Sequence, residues 1–340
     1  MKRTIFFLFF GMLVLNAQAK IWRVNNTPSK SADFSDISTA ISTASAGDTL
    51  YIEGSSIVYS SENVNITKSL CLIGPGYFLE KNDSTLYSKS NATFNSNVTI
   101  ETTAPNTTLQ GLNIIYTLNV LANNVIIERN LLNIVDFGLG VVSNTVIQNN
   151  YITGRIGTFT PSDYPSLYNL TISNNIINVY ICTMKGNSVI ENNTILSNGI
   201  YTIQYWPQYE PMENLSIIAV NSIISNNLCK GIIYTGRVTR SYGVKDDASN
   251  SIIKNTVNLG NNFTSQFLGG SIDDKYYMLS PTSTAIGAGT GGVDCGAFGG
   301  SDPYVLSGLP AIPHIYDIVA PTSGSATSGL AVKVKVKTQK

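Results

Sequence analysis

Six stretches of the chain repeat one phrase, an apolar residue, a polar residue and then, in most copies, a pair of asparagines: VIIERNLL, TVIQNNYI, LTISNNII, SVIENNTI, SIISNNLC and SIIKNTVN. The apolar anchors are Ile127, Ile147, Ile172, Ile190, Ile224 and Ile253, and Leu109 in TLQGLNI fits as an earlier member. The steps between them, 18, 20, 25, 18, 34 and 29 residues, rise from a floor of 18, as expected of one structural unit with loops inserted into some copies. The units are short, β-branched and rich in Asn, a poor helix former, so they read as strands and turns.

A right-handed parallel β-helix, an all-β solenoid of about ten coils, accounts for this spacing, because coils stacked ~4.8 Å apart turn equivalent positions into files. The Ile file points inward, and a second apolar file, Leu132, Ile152, Ile177, Ile195 and Cys229, follows five residues later. The position just after each Ile holds Glu128, Gln148, Ser173, Glu191, Ser225 and Lys254 and is expected to face water, since an unpaired buried charge is costly. Asn130, Asn150, Asn175, Asn193 and Asn227 align at a turn. Asn tolerates left-handed backbone, and its amide can bond to the coils on both sides, which predicts an asparagine ladder. The Asn-x-Thr triplets Asn91-Ala92-Thr93 and Asn169-Leu170-Thr171 are read as parts of this repeat rather than as glycosylation sites.

The ends of the repeat have their own patterns. Asp33 is expected to cap a helix with an apolar face of Phe34, Ile37, Ala40, Ile41 and Ala44, ended by Gly47 before TLYIEG and covering the open end of the stack. At the far end, Val332, Val334 and Val336 alternate with Lys333, Lys335 and Lys337, a strand expected to pack on the last coil while its lysines guard the edge. The expected organisation is a signal peptide over 1–19, an N-terminal strand and capping helix over 20–49, the β-helix over 50–300 and a C-terminal extension with a terminal strand over 301–340.

Composition adds the compartment. Lys2 and Arg3, the apolar run Ile5 to Leu15 and the small-x-small phrase Ala17-Gln18-Ala19 form a secretory leader with cleavage after Ala19. The run is too short for a membrane span, and no later stretch is longer, so no integral membrane segment is expected after cleavage. The expected location is secreted, at the cell surface or in the periplasm. From 20 to 330 the chain has 15 basic against 21 acidic residues, which argues against a nucleic-acid partner. Cys71, Cys182, Cys229 and Cys295 are widely spread and read as single thiols, with no metal-ligand spacing among them.

The stretches DFSDISTAISTASAGDTLYIEG, ITKSLCLIGPG and SPTSTAIGAGTGGVDCGAFGG resemble the opening, the following coil and the closing segment of bacterial proteins of the pectin lyase-like superfamily. The resemblance spans about residues 20 to 300 and implies the parallel β-helix; the superfamily's members include lyases, hydrolases, esterases and non-catalytic surface proteins. A polygalacturonase-like hydrolase would need Asn-Thr-Asp and Gly-His-Gly motifs, and neither occurs; the single histidine, His314, reads as a loop residue. Asp246-Asp247 gives an incomplete calcium shell. Glu128 and Glu191 stand three coils apart, about 14 Å at the β spacing, too far for a glycosidase pair. A lyase would use Arg155 or Lys185 as base. The best binding candidate is a groove between two inserts, RIGTFTPSDYPSLY and YTIQYWPQYEPMEN, offering Asp163, Tyr164, Tyr168, Tyr205, Trp206, Tyr209 and Glu210 to a glycan or polysaccharide. The expected function is non-catalytic carbohydrate binding, with two alternatives: a lyase cleaving a uronate-containing glycan by β-elimination, and a structural or adhesive stalk. No metal or cofactor is called for.

Overall fold

The computed structural model describes residues 19–157, 166–183, 186–197, 200–205, 208–213, 215–219, 221–234, 237–238, 245–246, 252–271, 273–327 and 329–338. Two long parallel sheets dominate it. The first contains, in spatial order, Ile21–Val24, Thr49–Ile52, Cys71–Ile73, Thr108–Gln110, Ile126–Glu128, Val146–Gln148, Ser166–Ser173, Gly186–Glu191, Ile223–Ser225 and Ile252–Lys254. The second runs alongside from Val64–Ile66 to Val257–Asn258. From Thr49–Ile52 onward the chain visits the two sheets in alternation, so that successive circuits extend both. A third, three-stranded parallel sheet, Ile181–Thr183, Leu215–Ala219 and Ile232–Tyr234, completes some of the circuits.

Register joins the apolar anchors as the spacing predicts. Leu50, Leu72, Leu109, Ile127, Ile147, Ile172, Ile190, Ile224 and Ile253 pair in succession. The second file pairs likewise from Leu132 to Cys229. Both files feed one continuous core from Val24 to Cys229. The side chain of Ile172, with no exposed surface, contributes about 1.5 to 3 kcal/mol by that burial.

The asparagine pairs divide their work. Asn130, Asn150, Asn175, Asn193 and Asn227 are fully buried, and each amide Oδ1 from Asn150 onward accepts from the Asn one circuit earlier. Left-handed backbone, expected at these same residues, belongs instead to the residue before each: Arg129, Asn149, Asn174, Asn192 and Asn226 all have φ between 52° and 58°. The bend therefore falls one position earlier, leaving the second Asn free to point inward.

Other expectations change at the ends. The helix spans Ile37–Thr43 with Asp36, not Asp33, as its N-cap, because Asp33 Oδ2 accepts from the backbone of Arg23 instead. Ile37, Ala40, Ile41 and Ala44 are buried in the main core as predicted. The terminal strand Lys333–Thr338 does not pack on the last circuit. It pairs antiparallel with Pro313–Val319, whose Ile315 carbonyl accepts from Tyr87, so the ribbon sits by an early circuit, and Ile253 at the end of the Ile file stays half exposed. His314 lies in that strand rather than in a loop and is buried.

The described residues between 259 and 310 form a strap that runs back along the sheets. Thr290 donates to Asn226 Oδ1, Asn174 Nδ2 donates to the carbonyls of Ala297 and Gly299, Arg129 Nη1 donates to the carbonyl of Leu309, and Tyr77 N donates to that of Ser307. The left-handed residues thus present their side chains to the strap. A Cβ on Gly296 (φ +97°) would lie 2.8 Å from Thr194 Oγ1, which explains the glycine in the closing phrase. Beneath the strap a second apolar cluster gathers Tyr151, Ile176 and Leu228 from the outer face of the second sheet with Phe263, Phe267, Tyr277 and Tyr304.

Candidate functional site

Asp163, Tyr164, Lys185 and Trp206 lie outside the described residues, so the predicted groove is described only at its margins. The insert after Ile195 includes a hairpin, Ile200–Tyr205 with Gln208–Glu213, whose backbone register pairs Tyr205 with Gln208, Tyr209 with Gln204 and Glu210 with Ile203. Tyr168 belongs to the strand Ser166–Ser173 instead of the preceding loop, because its segment pairs with Val141–Ser143; it is 46% exposed. It stands one residue before Asn169, part of a shallow cavity of about 240 Å³ on the outer face of the first sheet with Thr171, Asn187, Val189, Asn221 and Ile223. There Asn124, Asn144, Asn169 and Asn187 form a second, solvent-exposed amide file.

Arg155 is already engaged. Its Nη1 donates to the carbonyl of Gly157, and Nη2 lies 3.5 Å from Asp136 Oδ2. Glu128 accepts from Gln110 and Gln148 on the circuits either side, at 2.8 and 2.9 Å. The polar file after the isoleucines is not uniformly solvated: Gln110, Ser173 and Ser225 are buried. Asp273 caps the turn at Lys275, while Asp274 is fully enclosed and accepts from Asn82 Nδ2, Ser307 N and Tyr304 Oη. Burial pushes the Asp274 carboxyl above its ordinary value, and these bonds only partly oppose the shift. Among the described residues no group of three His, Cys, Asp or Glu converges on a common point.

The concave site that sequence reasoning missed lies where the strap crosses the sheets. A cavity of about 270 Å³ is lined by Leu196, Lys230, Phe263, Thr264, Phe267, Tyr276 and Tyr277. Leu196 and Lys230 follow the paired residues Ile195 and Cys229 and so occupy equivalent corners of adjacent circuits. The strap supplies the aromatic wall. Phe263 and Phe267 meet edge to face at 5.0 Å, Phe267 and Tyr277 at 5.5 Å, and Tyr276 and Tyr277 at 5.0 Å. These contacts fix ring orientation, and burial raises the Tyr277 phenol above its ordinary value, so it stays neutral near pH 7. The lining can stack a flat apolar face, and Thr264 at its exposed edge brings a hydroxyl for polar contacts. Leu196 precedes the hairpin strand Ile200–Tyr205 by four residues, which puts the cavity at the root of the insert that carries Tyr205, Trp206 and Tyr209.

The adjacent apolar pairs Leu131-Leu132, Tyr151-Ile152, Ile176-Ile177 and Leu228-Cys229 were the available signal for this cover, because a strand apolar on both faces is buried on both. The chain matches no protein-family model and no curated protein. Among the described residues no helix is long and apolar enough to cross a membrane.

Proposed function

We propose that the protein is an exported right-handed parallel β-helix of the pectin lyase-like type, with the helix Ile37–Thr43 capping its first coil, that binds carbohydrate at the cell surface or in the periplasm without cleaving it. The observation that carries this reading is the aromatic cavity of Phe263, Phe267, Tyr276 and Tyr277 at the foot of the insert. Fixed aromatic rings with a threonine hydroxyl at their edge suit a sugar ring, whose apolar face stacks on them while its hydroxyls bond. The exposed amides of Asn169, Asn187 and Asn221 near Tyr168 form a separate polar surface on the first sheet.

The lyase alternative needs an available base and a means of neutralising a uronate. Arg155 is held by Asp136 and Gly157, which weighs against it as that base. A glycan array run on wild type, Tyr276→Ala and Trp206→Ala tests the proposal. Retention of a glycan by wild type and its loss in either variant, with unchanged circular dichroism, is the expected result. Absence of any retained glycan favours the stalk, and an absorbance rise near 232 nm on incubation with pectate or alginate favours the lyase.

A further inference from the structure

The backbone nitrogen of Lys20 lies 2.8 Å from Asp48 Oδ1. The other oxygen of that carboxylate accepts from Trp22 Nε1 and from the backbone of Ser45, both at 2.9 Å. The Lys20 carbonyl accepts from Thr49 N at 2.8 Å, so the backbone of the residue is held on both sides of its Cα. Its Nζ takes no part in this and sits over the Trp22 ring, 3.1 Å from the centroid. Asp48 retains 5% of its surface. Burial alone would raise its carboxyl, but the bonds from Lys20, Trp22 and Ser45 and the nearby lysine charge outweigh that and hold it below the ordinary value. It is a carboxylate built to stay ionised.

The bond before that nitrogen is the one the Ala17-Gln18-Ala19 phrase marks for cleavage. Hydrolysis of Ala19–Lys20 consumes one water, leaves a carboxylate on the departing leader and converts the Lys20 N–H into an α-ammonium. We infer that leader removal creates an ion pair between this ammonium and Asp48, and that the pair locks the first strand, Ile21–Val24, onto Thr49–Ile52 and the turn before it. The inference rests on the export reading. Before cleavage the carboxylate accepts from a neutral amide; afterwards both partners carry charge, and the attraction between the two opposite charges is added to the hydrogen bond. Processing thereby tightens the end of the sheet that carries the helix.

An ammonium held by a carboxylate has a folded-state pKa above its ordinary value of about 8, so its stabilisation is complete below that value and is lost as pH rises through the folded pKa. The test uses the chain exported with its own leader, its start read by mass spectrometry, beside a chain that keeps Met ahead of Lys20 and the Asp48→Asn form of each. In the exported chain, 13C-dimethylation of the α-amine should report titration at least about one pH unit above its ordinary value, that is, about tenfold tighter proton binding. Its thermal midpoint should exceed that of the Met-extended chain at pH 6 and match it at pH 11, and Asp48→Asn should erase both differences. An α-amine titrating at its ordinary value, or equal midpoints at pH 6, overturns the inference while leaving export intact. A processed chain that starts elsewhere than Lys20 also overturns the inference, and a chain that keeps residues 1–19 overturns the export reading with it.

Discussion

Replacing Asn175 by alanine isolates the ladder. Its Nδ2 donates to the carbonyls of Ile147 and Ser173 and to Asn193 Oδ1, at 2.8, 2.9 and 3.0 Å, and its Oδ1 accepts from the N and Nδ2 of Asn150, at 2.9 and 3.0 Å. Not all five are lost without replacement: Asn150 Nδ2 keeps the carbonyls of Ile127 and Gln148, and Asn193 Oδ1 keeps the Asn175 N–H. The Asn150 N–H loses the partner it has here, in a place water does not reach. One orphaned buried donor costs about 1 to 3 kcal/mol, and the remaining lost bonds add about 1 kcal/mol each at most, so Asn175→Ala should lose about 3 to 5 kcal/mol. Asn187→Ala is the control, because its amide bonds Asn169 in the exposed file, where water substitutes, and its loss should stay below about 1 kcal/mol. Urea unfolding followed by far-ultraviolet circular dichroism, with slopes compared between variants, measures both. Midpoints shifted equally by the two substitutions, or a loss below 1 kcal/mol for Asn175→Ala, would refute the ladder as a source of stability.

Ile172→Asp should prevent folding, whereas Thr171→Asp on the outer face should move the thermal midpoint by only a few degrees; soluble expression and a melt decide between them. Ser173→Asp, in the same polar file as Glu191, should be clearly destabilising, since Ser173 is covered. The raised carboxyl of Asp274 makes the fold favour its protonated form, so its contribution is greatest below the ordinary aspartate value and declines as pH rises through the raised one. Asp274→Asn should therefore unfold at an equal or higher urea concentration at pH 8, helped by the unpaired Asn82 Oδ1 as acceptor, and lose that advantage near pH 3; a large loss at pH 8 would contradict this. Burial pushes the Cys229 thiol up to about 12 and the Cys295 thiol up to about 11, so neither should react with iodoacetamide at pH 8 until urea unfolds the chain, as mass spectrometry would report.

The files were legible because each circuit repeats the same few residue types at the same offsets, and parallel in-register pairing converts those offsets into contacts. The position of the left-handed bend was harder to read, since Asn-Asn allows either residue to supply it. Arg129 held the clue: the first place in the pair tolerates Arg, while the second is Asn from residue 130 through 227, as hydrogen bonding to both neighbours requires. The strap was not legible. Its residues follow no period, and its short 3-10 turns, Gly260–Asn262, Thr264–Gln266 and Asp274–Tyr277, are held by contacts far away in sequence, such as Asn82 to Asp274. The aromatic cavity depends on the strap, so it was hidden with it. Of the insert residues expected to line the groove, Tyr168 is the one whose side chain lies among the described residues.

The strap changes how the molecule should come apart. An array whose units touch only their neighbours can peel from either tip, one rung at a time. Here Thr290, Ala297 and Leu309 fasten to Asn226, Asn174 and Arg129 in turn, so detaching the last rungs also loosens a cord that reaches the early ones. Unzipping gives way to rupture as a whole, and a force applied between the tips is shared along the length.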